Sequence, residues 1–276
     1  MALLCASVLP AQEPARVVVP QNYPWGGWLE EEFPFFSSVL DARQKGDPLL
    51  KDNLTPRALI LNLGGGFWAG FDTDLLRIAA IWQGRGVTPA ALAPLTYRDP
   101  FNRTGGARAK LPMPVGTVWL ANGLFPGWQR GAEISTLDPR EPTPSKSEVG
   151  RGPLSEDAGR FRALLLPKEG GVELRYTLGE VPVFERLEAA TNAGVPGVRR
   201  QVRVGAATGA PGAPARVALQ AGANAAVRLD DMGTVTFVRV APRPQPIEFT
   251  VWLSPGDGAL PAAATALSTA PRWPQV

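Results

Sequence analysis

The chain has 276 residues, 45% of them hydrophobic, and a formal charge of +3; its mean hydropathy of −0.04 favours neither a disordered nor a membrane-spanning class. It contains no histidine, and its one cysteine, Cys5, lies at the extreme N-terminus. That excludes serine or cysteine triads with a histidine base, histidine or cysteine zinc sites and Cys-x-x-Cys-His haem attachment, and leaves only oxygen ligands for a metal such as calcium or magnesium.

Glycine (30 residues) and proline (29 residues) are abundant, so many turns are expected. The cations are nearly all arginine, with lysine only at Lys45, Lys51, Lys110, Lys146 and Lys168, and they form no basic block. No nucleic-acid partner is therefore expected.

In chain order, residues 2–9 form an apolar run too short to cross a bilayer as a helix, and Pro10, Ala11, Gln12 and Glu13 follow like a cleavage region. Residues 1–12 are read as a signal peptide without the usual positive start, which predicts a secreted or periplasmic protein with no transmembrane segment after processing. A buried first strand is the alternative, and the bulky Leu3 and Leu4 ahead of Cys5 speak against a lipoprotein signal. Residues 13–157 read as a loop-rich β region. Within it, YPWGGWLEEEFPFF gathers aromatics and three glutamates, as core packing or as an aromatic platform for sugars. The run 58–63 reads as a strand ending in the turn Gly64, Gly65 and Gly66, which lacks the Gly-Lys-Ser/Thr ending of a phosphate loop. FDTDLLRIAAIWQG predicts a short helix near 73–83, capped by Asp72 or Thr73 and ended by Gly84. Turn residues dominate 89–153, with a strand expected at 116–121 and long loops lined by Tyr97, Trp119, Phe125 and Trp128.

From residue 160 the pattern becomes repeated short β segments, at 161–167, 171–178, 181–189, 199–204, 215–221, 225–229, 234–240 and 246–253. In VELRYTL, Val172, Leu174, Tyr176 and Leu178 share one side while Glu173, Arg175 and Thr177 share the other. Asp230, Asp231, Met232 and Gly233 read as a hairpin turn. Residues 158–256 thus supply the strands of an antiparallel sandwich, continuous with the preceding region as one domain. Residues 257–276 read as a Pro/Ala linker to a further module. The fold expected is all-β, mainly an antiparallel β-sandwich, with one or two short helices and long loops.

FDTDLLRIAAIWQG, GPLSEDAGRFRALLL and VELRYTLGEVPVFER together resemble the uncharacterised DUF6797 family, over roughly residues 53–273. The resemblance implies a domain near the N-terminus of a large secreted bacterial protein, alongside propeller-like, haem c or carbohydrate-related modules. No Cys-x-x-Cys-His is present to carry a haem here. VELRYTLGEVPVFER is also similar to β-supersandwich domains that accompany glycoside-processing enzymes, although a mutarotase of that fold would want histidines.

Candidate sites follow from these residue types. Asp72 and Asp74 form an Asp-x-Asp pair able to offer oxygens to calcium, with Asp99 or Asn102 as further ligands; helix capping is the competing reading. Arg77 is placed to meet a ligand or to pair with Asp74. Trp25, Trp28, Trp68, Trp119 and Trp128 are the candidate sugar-binding surfaces, because sugar C–H faces pack on indole rings; core packing competes at each. A carboxylate-based glycan-processing enzyme would draw on acids such as Glu30, Glu31, Glu32, Asp230 and Asp231 held about 5–10 Å apart. The leading expectation is a non-catalytic accessory or interaction domain of an exported multidomain protein, needing no cofactor, with polysaccharide or its own downstream modules as partners. Such an enzyme, or a structural spacer beside a haem c or propeller module, is the alternative.

Overall fold

The computed structural model describes residues 34–88, 111–129, 134–142, 151–192, 194–206, 215–218, 227–232, 235–240, 244–253 and 264–268. Every helix or strand among these residues is a strand: β1 (Phe35–Asp41), β2 (Leu54–Gly64), β3 (Phe67–Asp72), β4 (Arg77–Val87), β5 (Pro114–Ala121), β6 (Trp128–Gln129), β7 (Arg160–Leu165), β8 (Val172–Leu178), β9 (Val181–Asn192), β10 (Val195–Val204), β11 (Ala215–Ala218), β12 (Val227–Met232), β13 (Val235–Val240), β14 (Ile247–Leu253) and β15 (Ala264–Ser268). They build three sheets. A five-stranded meander runs β1-β2-β3-β4-β5, a six-stranded sheet runs β15-β14-β10-β9-β8-β7, and a small sheet runs β12-β13-β11-β6.

The five-stranded sheet is apolar on both sides, and residues of β2 and β3 alternate between them. In β3, Phe67, Ala69 and Phe71 join one core while Trp68 joins another. In β2, Leu61 and Leu63 take the first side and Ala58 and Ile60 the second. The first side packs against the six-stranded sheet, whose Val172, Leu174, Tyr176, Leu178, Val198, Val202, Phe249 and Val251 share that core. This contact makes the molecule an antiparallel β-sandwich. The second side folds onto itself: Leu40, Ile60, Trp68, Ala80 and Trp82 come from four different strands and form one cluster. At one end the backbone N–H of Asp41 donates to the carbonyl of Pro112 at 2.7 Å, which joins the end of β1 to the approach to β5. The sheet is therefore curled, and Trp82 fills the curl without solvent exposure. Each such large apolar side chain contributes about 1.5–3 kcal/mol by leaving water.

The helix expected near 73–83 does not form. Residues 73–76 make a turn and β4 follows directly. The capping chemistry is present, since Asp72 Oδ1 accepts the backbone N–H groups of Asp74 (3.0 Å) and Leu75 (3.2 Å), but those bonds close a hairpin turn. Leu76, at φ 51°, ends it in a left-handed conformation. An apolar run buried on both sides shows no polar stripe, so its residues fit a helix and a strand equally, and the sheet on either side decides. The run also carries a bulge. Gly70 pairs with Ala80 and Phe71 with Ile78, leaving Ala79 as the extra residue.

The glycine triplet 64–66 links β2 to β3 as a tight turn, and the expected strand at 116–121 is β5. The strands expected beyond residue 160 are present, with VELRYTL alternating as anticipated. The hairpin near residue 230 forms later than expected: Asp230 and Asp231 lie within β12, opposite Phe237 and Thr236, and Met232 pairs with Val235. Within the segment read as a linker, β15 adds an edge strand beside β14. The N-terminal run 1–12 and Trp25 and Trp28 lie outside the described residues.

Candidate functional site

The Asp-x-Asp pair is engaged by the protein itself. Asp72 is 1% exposed and pairs through Oδ2 with Arg77 Nε at 3.2 Å. Arg77, equally enclosed, spends its other donors on the Asn122 carbonyl (2.9 Å), Asn53 Oδ1 (2.9 Å) and Thr55 Oγ1 (3.1 Å). Burial lowers the Arg77 pKa and the Asp72 carboxylate opposes that shift. The bulge explains the rest of the cluster. The Ala79 carbonyl accepts from Asn53 Nδ2 and from the Asn122 backbone N–H, both at 3.0 Å, while Asn122 Nδ2 donates to the Ile78 carbonyl. Asp74 faces the other way and is held by Arg57, with Arg140 Nη1 3.9 Å from its Oδ2. Burial raises the Asp74 pKa against the pull of Arg57. No group of three or more His, Cys, Asp or Glu placed to hold a metal exists among the described residues, and Asp99 and Asn102 lie outside them.

The predicted tryptophans that are described are packed inside. Trp68 belongs to the core within the curl, while Trp119 and Trp128 belong to the core between the sheets. Trp119 meets Phe67 edge to face at 5.8 Å. Trp128 Nε1 donates to Tyr176 Oη at 2.8 Å, and Tyr176 Oη donates to Glu185 Oε2 at 2.7 Å. Glu185, fully buried, has Arg200 Nε 2.6 Å from its Oε1, an ion pair out of hydrogen-bond alignment. Burial and the adjacent Glu185 carboxylate push the Tyr176 phenol well above its ordinary range, so it stays protonated and donates.

The surface with the character of a binding face lies on the other side of the six-stranded sheet. Register sets its rows. Arg175 on β8, Phe184 on β9, Arg203 on β10 and Glu248 on β14 stand opposite one another in turn. A second row runs Glu173, Arg186, Gln201 and Thr250, and a third runs Glu188, Arg199 and Trp252. The charged groups pair across and along the strands: Arg175 with Glu173 (2.6 Å), Arg186 with Glu188 (3.4 Å), Arg203 with Glu248 (3.4 Å) and Arg199 with Glu188. Arg175 and Arg203 lie over the Phe184 ring, 5.4 and 5.9 Å from its centroid, and Arg199 lies 5.8 Å from that of Trp252.

Phe184 and Trp252 are the aromatic residues that sequence reasoning missed. Phe184 in VPVFERLE shares the side of Arg186 and Glu188, and Trp252 in IEFTVWL shares that of Glu248 and Thr250. Neither belongs to an apolar core, and both are half-buried. An aromatic residue on the charged side of an alternating strand was the available signal.

The architecture is thus that of an all-β antiparallel sandwich whose described buried acids are bound to arginines. Residues 69–185 match the family model of DUF6797, a domain of unknown function. The match is narrower than the span over which the resemblance was read. No curated protein and no solved structure matches the chain.

Proposed function

We propose that the chain is a non-catalytic interaction domain of an exported multidomain protein and that it binds polysaccharide on the outer face of the six-stranded sheet. The observation that carries this reading is the position of Phe184 and Trp252, two large aromatic side chains among charged neighbours and outside both apolar cores. Aromatic and arginine side chains are the residues that dominate binding faces. A non-catalytic role is supported by the buried acids. Asp72, Asp74, Asp138, Glu173, Glu185 and Glu188 each hold an arginine, whereas a glycosidase needs two carboxyl groups turned toward one bond. Export rests on the apolar run at residues 2–9.

Depletion of the protein by a panel of insoluble polysaccharides tests this. Retention on at least one polymer is expected, without release of reducing ends. Trp252→Ala and Phe184→Ala should each weaken retention by roughly 30-fold, the equivalent of about 2 kcal/mol, with unchanged circular dichroism. Retention by no polymer would favour the spacer reading.

A further inference from the structure

The arginines around Phe184 and Trp252 stand at a different depth from their glutamates. In three of the arginine–glutamate pairs the guanidinium is the more exposed partner: Arg175 is 39% exposed against 10% for Glu173, Arg199 28% against 11% for Glu188, and Arg203 38% against 23% for Glu248. Arg186 is the exception, buried between Glu188 and the exposed Glu169. Arg162, exposed at the bulge in β7, adds a fourth guanidinium, bonded to Thr177 Oγ1. Formal charge on the rows is nearly balanced, yet at Arg175, Arg199 and Arg203 the cation stands nearer solvent than its own carboxylate.

The aromatic rings hold these arginines in place. Phe184 takes one guanidinium from each flanking strand, Arg175 from β8 and Arg203 from β10. In each of these two arginines it is Nε that lies against the glutamate, at 2.6 Å for Arg175 and 3.4 Å for Arg203. A planar fork matches a planar carboxylate in a bidentate pair. The two arginines stand two strands apart, about 10 Å between backbones, and their guanidiniums lie 5.4 and 5.9 Å from the one ring centroid between them.

From this geometry, and resting on the polysaccharide-binding reading above, we infer that the ligand is an acidic polysaccharide, a polymer of uronic acid residues, gripped by its carboxylates between Arg175 and Arg203. A neutral glucan would place hydroxyls where the surface offers cations already ordered by glutamates and an aromatic ring.

The test is equilibrium binding of the full chain at about 0.1 M salt to polygalacturonate, its fully methyl-esterified form, a neutral β-glucan and polyglutamate. The expected result is binding to polygalacturonate and at least about tenfold weaker binding to the other three. The double variant Arg175→Gln with Arg203→Gln should lose about tenfold or more for polygalacturonate. Arg85→Gln, which removes an exposed arginine from the five-stranded sheet, should stay within about twofold. Circular dichroism and melting temperature confirm that each variant is folded. Equal binding to the free and esterified polymers, or to the β-glucan, would overturn the inference while the polysaccharide-binding reading survived. Equal binding to polyglutamate, or an equal loss in Arg85→Gln, would overturn it as plain polyanion exchange. Binding to no polysaccharide would remove the reading on which it rests.

Discussion

Arg77 is, after Trp82, the largest side chain wholly enclosed among the described residues, and it shows what a charged residue must do to stay inside. Its guanidinium has a carboxylate, a carboxamide, a hydroxyl and a carbonyl as partners. Three of them lie 22 to 45 residues away in the chain. Sequence places Asp72 near Arg77 by simple adjacency, but Asn53, Thr55 and Asn122 are invisible as a group until the fold brings the start of β2 and the end of β5 to the start of β4. Removing the cation leaves Asp72 and Asn53 facing one another without it. Arg77→Met is therefore expected to cost about 3–5 kcal/mol, read as a lowered urea midpoint. Arg77→Met combined with Asp72→Asn should cost less than the two separate losses added together. The same scale explains the tryptophans. Trp68, Trp119 and Trp128 sit on strands at positions facing a core, and only the partner layer distinguishes such a position from an exposed one.

At the scale of elements, the curled sheet depends on a close approach that only glycine permits. Gly84 of β4 pairs with Gly116 of β5, at φ 153° and 139°. A Cβ on Gly116 would lie 2.1 Å from the Gln83 carbonyl oxygen and 2.8 Å from the Gly84 Cα. Both obstacles are backbone, so the strands themselves would have to part. Gly116→Ala is expected to destabilise by at least about 2 kcal/mol, measured by chemical denaturation, whereas alanine at Gly46, where a Cβ would meet nothing within 4 Å, adds only the local strain of its φ of 89°. The strands of the second half were legible because most of them face the core on one side and charged rows on the other. The hairpin of β3 and β4 was not, because both of its sides are apolar.

For the whole molecule, the joining feature is the core shared by the two large sheets, into which β6 and β13 also send Trp128 and Val240. The chain from Trp128 through Tyr176 and Glu185 to Arg200 runs inside that core and links global stability to pH. The folded phenol has a raised pKa, so above the ordinary value of 10.0 the unfolded chain gives up a proton that the folded one retains. Stability from this group is thus complete below pH 10.0 and is lost as pH rises further, by up to about 1.4 kcal/mol per pH unit. Denaturation midpoints taken across that range should fall accordingly. A tyrosine absorbance titration should show one of the three tyrosines silent until the protein unfolds. Tyr176→Phe should flatten the alkaline loss and lower stability at neutral pH by about 1–3 kcal/mol, because Glu185 and Trp128 Nε1 lose their buried partner.

Composition and alternation by themselves determined that this protein is built of antiparallel strands, that chemistry needing histidine is closed to this chain, and which residues of a strand such as β8 share a side. Those properties are local: side-chain parity along a strand is written in adjacent residues. The tertiary structure alone decided that 77–87 is a strand, that Trp68 fills a curl while Trp252 joins a charged face, and that Arg175, Arg199 and Arg203 stand above their glutamates on that face. Each of these depends on what lies across from a residue, in another strand or another sheet, and parity carries no information about the layer opposite.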